Sequence, residues 1–169
     1  MVPRPARAPA VSDLRLRRGV RAIVVDPDDR ILLVRFEFRT RTVWAAPGGG
    51  VDEGESDEAA VRRELAEEVG LVDVELGRWI WTRTHVFPFE SGRWDGQSER
   101  FVLVRTPAFE PRPQFAAEQL AAEYVTAVRW WTQAELAATD ALFAPRRLPE
   151  LVVALLREGP PREPLDVGV

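Results

Sequence analysis

One segment, from Pro47 to Leu71, constrains the fold more than any other part of the sequence. Its Pro-Gly-Gly-Gly start, residues 47–50, does not suit a regular helix or strand and predicts a loop with unusual backbone freedom. Ser56 is a suitable N-cap and Gly70 can close a helix in the left-handed conformation, so we predict a helix over residues 56–69. The apolar side chains of this helix recur every fourth residue, at Val61, Leu65 and Val69. This spacing predicts that one helix face packs on a core.

The rest of the chain alternates irregularly between β-branched apolar runs and helical patterns. Strands are predicted at residues 17–25 and 31–36, which form a hairpin, near Trp44, and at residues 72–84, 99–106 and 124–131. Two further helices are predicted, one beginning at a capping box at residues 132–135 and one over about 149–157. This irregular alternation predicts a mixed sheet covered by helices on both faces.

Length and composition fit one domain. With 169 residues, of which 46% are hydrophobic, we place a single domain at residues 13–158, between a mobile tail at 1–12 and a C-terminal tail at 159–169. Cysteine is absent, which excludes thiolate metal sites and cysteine nucleophiles. Without a membrane-length apolar run or a signal-peptide pattern, we expect a cytoplasmic protein with no membrane partner. The mild net charge of −4 argues against nucleic acid as a partner.

The negative charge is concentrated in one place. Residues 52–68 contain eight acids and two arginines, a net charge of −6. Glu64, Glu67 and Glu68 stand at i, i+3 and i+4, so they share one arc of the predicted helix beside its apolar face. Like charges at this spacing destabilise a helix unless a hard divalent cation such as Mg²⁺ makes them ligands. A solvated helix face is the alternative interpretation of the same pattern.

Two neighbouring features are compatible with a cation site. The glycine run lets a backbone carbonyl near Gly48 approach a ligand, although a flexible turn explains the same run. Glu55 and Arg63 are suited to a bidentate ion pair that fastens the loop to the helix. Neither feature by itself distinguishes a metal site from a solvated loop and helix.

Residues 49–71 resemble the signature of the Nudix hydrolases without a gap. That signature is a glycine, five residues, a glutamate, seven residues and then Arg-Glu-aliphatic-any-Glu-Glu-any-Gly-aliphatic. The matching residues are Gly49, Glu55, Arg63, Glu64, Leu65, Glu67, Glu68, Gly70 and Leu71. The resemblance extends more weakly over about residues 17–157. It implies an α+β fold, an α-β-α sandwich with a mixed β-sheet, and a nucleotide pyrophosphohydrolase that uses Mg²⁺ or Mn²⁺.

The resemblance also implies roles for the residues of the signature. Glu64 and Glu68 would be the principal metal ligands, and Glu67 would be a further ligand or the general base. Arg63 would hold Glu55. These five residues form the expected catalytic set, and the family resemblance does not determine which glutamate is the base.

The resemblance also implies metal ligands other than the glutamates of the signature. The Gly48 carbonyl would supply one ligand. Nudix enzymes often use one more glutamate from a separate loop, for which we predict Glu123, which precedes the strand at 124–131, with Glu118 as the second choice.

The expected substrate is a small nucleotide in which a nucleoside diphosphate is linked to another moiety, and a homodimer is compatible with the sequence. Arg146 and Arg147 are candidates for phosphate contact or for the start of the last helix, and Trp81 is a candidate for stacking on a base. The alternative function is a non-catalytic Nudix domain that senses a nucleotide. The isoprenoid isomerase that shares the fold needs a reactive cysteine, which this chain lacks.

Overall fold

The computed structural model describes residues 14–87, 89 and 91–168. The tail predicted at residues 1–12 lies outside the described residues. None of the helices in the described ranges has the length and apolar character that crossing a membrane requires.

The described residues form one mixed sheet of eight strands. The strands are β1 (Leu16–Val25), β2 (Ile31–Phe38), β3 (Arg41–Ala45), β4 (Trp79–Val86), β5 (Gly96–Arg105), β6 (Val125–Trp131), β7 (Phe143–Ala144) and β8 (Leu165–Asp166). Their order is β7-β3-β2-β1-β5-β4-β8, and β6 also pairs with β2. The pairs β1–β5, β3–β7 and β4–β8 are parallel, whereas the remaining pairs are antiparallel. The predicted mixed sheet is therefore confirmed.

Helices cover both faces of this sheet. They are α1 (Asp57–Val69), α2 (Ala117–Ala122), α3 (Gln133–Ala138) and α4 (Leu148–Glu158). Along β1, Val20 and Val24 point into the core that contains α1, whereas Ile23 and Val25 point into the core that contains α3 and α4. Because a strand alternates its side chains between faces, β1 contributes to both cores. The two apolar cores stabilise the α-β-α sandwich that the resemblance implied.

The glycine loop, residues 47–50, lies beside β1 where β2 has diverged from it. Strand β1 pairs with β2 only at Val24 and Val25. Closer to the start of β1, the N–H of Ala22 donates to the Pro47 carbonyl and the N–H of Val20 donates to the Gly49 carbonyl, each at 2.9 Å. The loop therefore occupies the position of a neighbouring strand, and the hydrogen bonds to β1 fix its backbone relative to the sheet.

Most predicted elements are present with small shifts at their ends, namely the β1–β2 hairpin, β3, β5, β6, α1, α3 and α4. The strand predicted at 72–84 begins only at Trp79. Asp73 has a positive φ of 52°, which excludes that residue from a strand. Helix α2 and the two short strands β7 and β8 are not predicted. The C-terminal tail supplies β8, which pairs with β4 at Trp81 and Thr82, and it buries Val167.

Candidate functional site

Helix α1 carries its acidic residues in an anchored position. The Ser56 hydroxyl accepts a hydrogen bond from the Ala59 N–H at 3.1 Å, and Gly70 closes the helix with a φ of 75°, as predicted. Asp57 is ion-paired with Arg18 of β1 at 2.6 Å and with Arg100 of β5 at 2.5 Å. The helix is thus tied to two central strands, which fixes its glutamates relative to the sheet.

The glycine loop approaches these glutamates so closely that side chains are excluded from it. Gly48 has a φ of 137°, and a Cβ atom there would lie 2.2 Å from the Val20 carbonyl oxygen. A Cβ atom on Gly49 would lie 2.4 Å from Glu64 Oε1. At Gly48 the obstacle is backbone and φ is positive, so glycine is required there, whereas a side chain on Gly49 would displace the Glu64 carboxylate. The loop backbone can therefore lie directly against the carboxylates.

Arg63 joins the loop to the helix. Its Nε and Nη2 donate to the two carboxylate oxygens of Glu55, each at 2.9 Å, and Nη2 also donates to the Gly50 carbonyl at 2.9 Å. Its Nη1 donates to Glu64 Oε1 at 2.8 Å and to Glu67 Oε2 at 3.2 Å. The hydrogen bonds with Glu55 raise the pKa of Arg63 and lower that of Glu55. The predicted Glu55–Arg63 pair is confirmed.

Glu68 is the most enclosed of the predicted ligands, with 4% of its surface exposed. Its Oε2 accepts a hydrogen bond from the Gly48 N–H at 2.8 Å. Burial raises the pKa of Glu68 to about 8; the charge of Arg21 and the Gly48 N–H oppose this rise, whereas the charges of Glu64 and Glu123 add to it. The pKa of Glu64 is also raised, mainly by burial, although Arg63 opposes the rise. The site therefore holds more negative charge than its arginines offset.

Glu123 lies close enough for its charge to contribute to the raised pKa of Glu68. Glu123 is the residue that ends α2, and its side chain is exposed. This position favours Glu123 over Glu118 as the additional ligand. Its role stays a prediction.

The carboxylates are not gathered around one point. Among the residues that the structure describes, no group of three or more histidine or acidic side chains is placed to hold a metal ion. The reason is that Arg63 engages Glu64 and Glu67, while Glu68 turns to the Gly48 N–H. The donor set still fits a hard divalent cation, since all its atoms are oxygens and the buried charge of Glu68 is only partly offset. The predicted ligands therefore stay a prediction: Gly48, Glu64, Glu67, Glu68 and Glu123.

The burial of Glu68 predicts that stability depends on pH. Its pKa is about 8 in the folded protein, against 4.5 for an unperturbed glutamate side chain. Between these values the folded state binds more protons than the unfolded state, so the free energy of unfolding falls as the pH rises, by at most about 1.4 kcal/mol per pH unit. In EDTA, we expect the melting temperature of the wild type to fall more than that of Glu68→Gln as the pH rises from about 5 to about 8. Parallel pH profiles of the two proteins would contradict this expectation.

The prediction that Trp81 contacts substrate is wrong. Trp81 is 2% exposed and packs in the core beside Phe101, with ring centroids 5.9 Å apart. The register of β4 on β5 shifts between Trp79 and Trp81. Because of this irregularity, Trp79 packs towards α1 and Trp81 packs towards α4, although residues two apart normally share a face.

Arg146 and Arg147 lie at the start of α4, away from the glutamates of α1. Arg146 lines a groove of about 640 Å³ between α3 and α4, and Arg147 is the residue before the first turn of α4. In the described part of the chain, neither side chain forms an ion pair with the glutamates of α1. The structure does not bring these arginines into contact with the carboxylates, and their binding of a phosphate stays a prediction.

Sequence reasoning missed two residues of the site, Arg21 and Glu99. Arg21 donates to the Gly48 carbonyl at 2.7 Å and to Glu99 Oε1 at 2.8 Å. A signal was present, because Arg21 interrupts an apolar strand and a charged residue in such a place requires a partner. The partner is 78 residues away along the chain, so spacing alone does not identify it.

Comparison with known proteins agrees with this geometry. The NUDIX domain family matches residues 15–151. The RNA pyrophosphohydrolase of Caulobacter vibrioides is 37% identical over 112 residues, which cover 61% of this chain and 65% of that protein. The RNA pyrophosphohydrolase of Helicobacter pylori is 34% identical over 104 residues, covering 54% of this chain and 64% of that protein. The chain thus spans slightly less than two thirds of the length of these relatives.

Solved structures share the fold. The MutT NUDIX hydrolase of Burkholderia pseudomallei superposes with a TM-score of 0.61 at 25% identity, covering 82% of this chain and 98% of that chain. The NUDIX domain of Shewanella oneidensis NrtR, solved with ADP ribose, gives a TM-score of 0.63 at 20% identity and covers 85% of this chain. Because the NUDIX domain model matches residues 15–151, most of the chain, the chain belongs to the Nudix family.

Proposed function

We propose that this protein is a Mg²⁺- or Mn²⁺-dependent Nudix hydrolase that cleaves a phosphoanhydride bond in a nucleoside diphosphate linked to another moiety. The observation that carries the proposal is the contact between the Glu64 and Glu68 carboxylates and the backbone of Gly48 and Gly49. This contact places oxygen donors from a helix and from a loop on one side of α1. A solvated helix face would not need a buried Glu68.

The residues of the site have separate tasks in the proposed reaction. A bound divalent cation would offset the charge of the pyrophosphate and lower the pKa of a bound water. Glu64 and Glu68 would hold the cation, and Glu67 would bind it or accept the proton of the water. Arg63 would keep Glu55 and the loop in place, so that the donors of the loop stay aligned with those of the helix.

In this proposal the substrate is a nucleotide, and an assay of several candidate compounds would identify it. Oxidised or ordinary nucleoside triphosphates, ADP-ribose, nucleotide sugars and dinucleotides all contain the required bond. The relatives named RNA pyrophosphohydrolase make RNA a further candidate, so the prediction that nucleic acid is not a partner is left to the same test. Cytoplasmic location also stays a prediction.

Removal of the metal tests the proposal directly. We expect a panel of these compounds and triphosphorylated RNA to include at least one substrate that is hydrolysed with Mg²⁺ or Mn²⁺. Hydrolysis should stop in excess EDTA and return when the metal is restored, because phosphate charge must be offset before water attacks. Release of phosphate, pyrophosphate or mononucleotide is the measurement. Full turnover in chelator, with metal removal verified, would exclude the mechanism.

A further inference from the structure

Arg21 links the sheet to the glycine loop. Its side chain lies on β1 and is 16% exposed. The Nε atom donates to Glu99 Oε1 at 2.8 Å, while Nη1 donates to the Gly48 carbonyl at 2.7 Å and to the Ala46 carbonyl at 3.2 Å. One planar guanidinium therefore connects β5 with the backbone of the loop, a task that requires several donors in a fixed geometry.

Glu99 fixes the orientation of Arg21. The carboxylate is 2% exposed. Its Oε1 also accepts from Gln97 Nε2 at 2.8 Å, and its Oε2 lies 2.9 Å from Arg83 Nε. Burial tends to raise the pKa of Glu99, but Arg21 and Arg83 outweigh this effect and lower it. A buried, ionised carboxylate with three partners leaves the Arg21 guanidinium little freedom to move.

Gly48 is held on both of its polar groups. Its N–H donates to Glu68 Oε2 at 2.8 Å, and its carbonyl accepts from Arg21. Its φ of 137° is one that residues with side chains rarely adopt, and a Cβ atom has no room there, so no other residue fits this position. A carbonyl oxygen accepts two hydrogen bonds, so the bond from Arg21 leaves one lone pair for another ligand.

We infer that Arg21 is a positioning residue for the proposed metal site: held by Glu99, it orients the Gly48 carbonyl so that this oxygen and Glu68 can bind the same cation. The inference rests on the proposed function. Arg21 does not touch the cation or the substrate in this role. Its effect is transmitted through the backbone of Gly48.

Positioning and simple charge balance predict opposite effects on metal binding. A guanidinium repels a cation bound nearby, so if Arg21 only balanced the charge of Glu68 and Glu64, its neutralisation would strengthen binding. If Arg21 orients a ligand, its loss weakens binding, and loss of a residue that orients a metal ligand costs about 10–100-fold in affinity. The sign of the change therefore separates the two roles, whatever the stability of the variant.

The test is the affinity of the metal-free protein for Mn²⁺, measured from the free-ion signal in electron paramagnetic resonance without substrate. We expect Arg21→Gln to raise the Kd for Mn²⁺ about tenfold or more. We expect Arg21→Lys, which keeps the charge and is more certain to fold, to raise the Kd as well. A lysine has one nitrogen and cannot reach Glu99 and both loop carbonyls in the geometry of a guanidinium.

Arg30→Gln is the control. Arg30 donates to Asp26 at 2.7 Å, and Asp26 is as buried as Glu99, so this replacement also removes an arginine from a buried carboxylate. In the described residues Arg30 forms no hydrogen bond with the glycine loop or with Glu99, and the Kd for Mn²⁺ should stay within about threefold of the wild type. Thermal melts of all variants measure how much stability is lost when a buried carboxylate loses an arginine partner.

Each outcome has a defined meaning. Weaker Mn²⁺ binding in both Arg21 variants, but not in Arg30→Gln, supports positioning. Unchanged or tighter binding in folded Arg21→Gln or Arg21→Lys overturns the inference, as does an equal loss in Arg30→Gln. If the wild type itself binds no Mn²⁺, or binds it equally well as Glu68→Gln, the proposed function fails instead, so the two failures are distinguishable.

Discussion

Glu68→Gln is expected to lower kcat at saturating substrate by about 100-fold or more, whereas Glu58→Gln should change it less than about twofold. Both substitutions remove one negative charge from α1 and keep the size of the side chain. Glu58 is exposed in the first turn, where a carboxylate is favourable beside the helix N-terminus. Glu68 is buried against Gly48, on the arc of the predicted ligands.

The stability of the two variants should change in opposite directions. Burial raises the pKa of Glu68 to about 8, so at neutral pH folding has to bind a proton to a carboxyl group that is ionised in the unfolded chain. Glutamine needs no proton, so the metal-free variant should be more stable than the wild type at neutral pH. Glu58→Gln should cost about 0.5 kcal/mol through the lost helix-terminal interaction. Steady-state kinetics and thermal melts in EDTA measure both effects. Small and equal effects of the two substitutions on kcat would show that the acidic arc is only a solvated surface.

The elements that could be predicted from the sequence are those with strong local signals. Helix α1 has an N-cap at Ser56, a left-handed end at Gly70 and an apolar repeat between them, and these interactions are made within a few residues. The Glu55–Arg63 pair lies within the same segment, so its geometry follows from the loop and helix. The candidate ligands on α1 could be named for the same reason.

The features that were missed depend on distant parts of the chain. The irregular register between Trp79 and Trp81 arises from pairing with β5 and gives no signal in the local sequence pattern, so the sequence does not identify Trp81 as a core residue. Strand β8 has only two residues and exists because it pairs with β4. Arg21 and Glu99 meet because β1 and β5 are neighbours in the sheet. Local propensity carries none of this information.

The way Arg63 engages its carboxylates also could not be predicted in full. The sequence indicated one partner, Glu55, but the guanidinium also contacts Glu64, Glu67 and the Gly50 carbonyl. These contacts explain why the glutamates are not gathered around one point. To bind a cation, Glu64 and Glu67 would have to give up part of their contact with Arg63. Arg63 would still be held by its hydrogen bonds to Glu55 and to the Gly50 carbonyl.

Arg63→Ala is therefore expected to lower both stability and activity. The change removes two hydrogen bonds to Glu55 and one to Gly50. Among the described residues, it leaves Glu55, whose side chain is 16% exposed, with the Asp52 N–H as its one remaining partner. We expect the free energy of unfolding to fall by about 2–3 kcal/mol, since hydrogen bonds to charged groups are lost and a partly enclosed carboxylate is left unpaired. We also expect kcat to fall about 10–100-fold, because the loop that carries Gly48 is no longer tied to α1.

Arg62→Ala is the control for this prediction. Arg62 is the preceding residue of the same helix, carries the same charge and is exposed, and it donates to the Val74 carbonyl rather than to the glycine loop. Its replacement should cost no more than about 1 kcal/mol and should leave kcat close to the wild-type value. Chemical denaturation and steady-state kinetics of both variants provide the comparison. If Arg63→Ala matched Arg62→Ala in both measurements, Arg63 would be a surface charge without influence on the loop, and the contacts with Glu55 and Gly50 would not hold the site together.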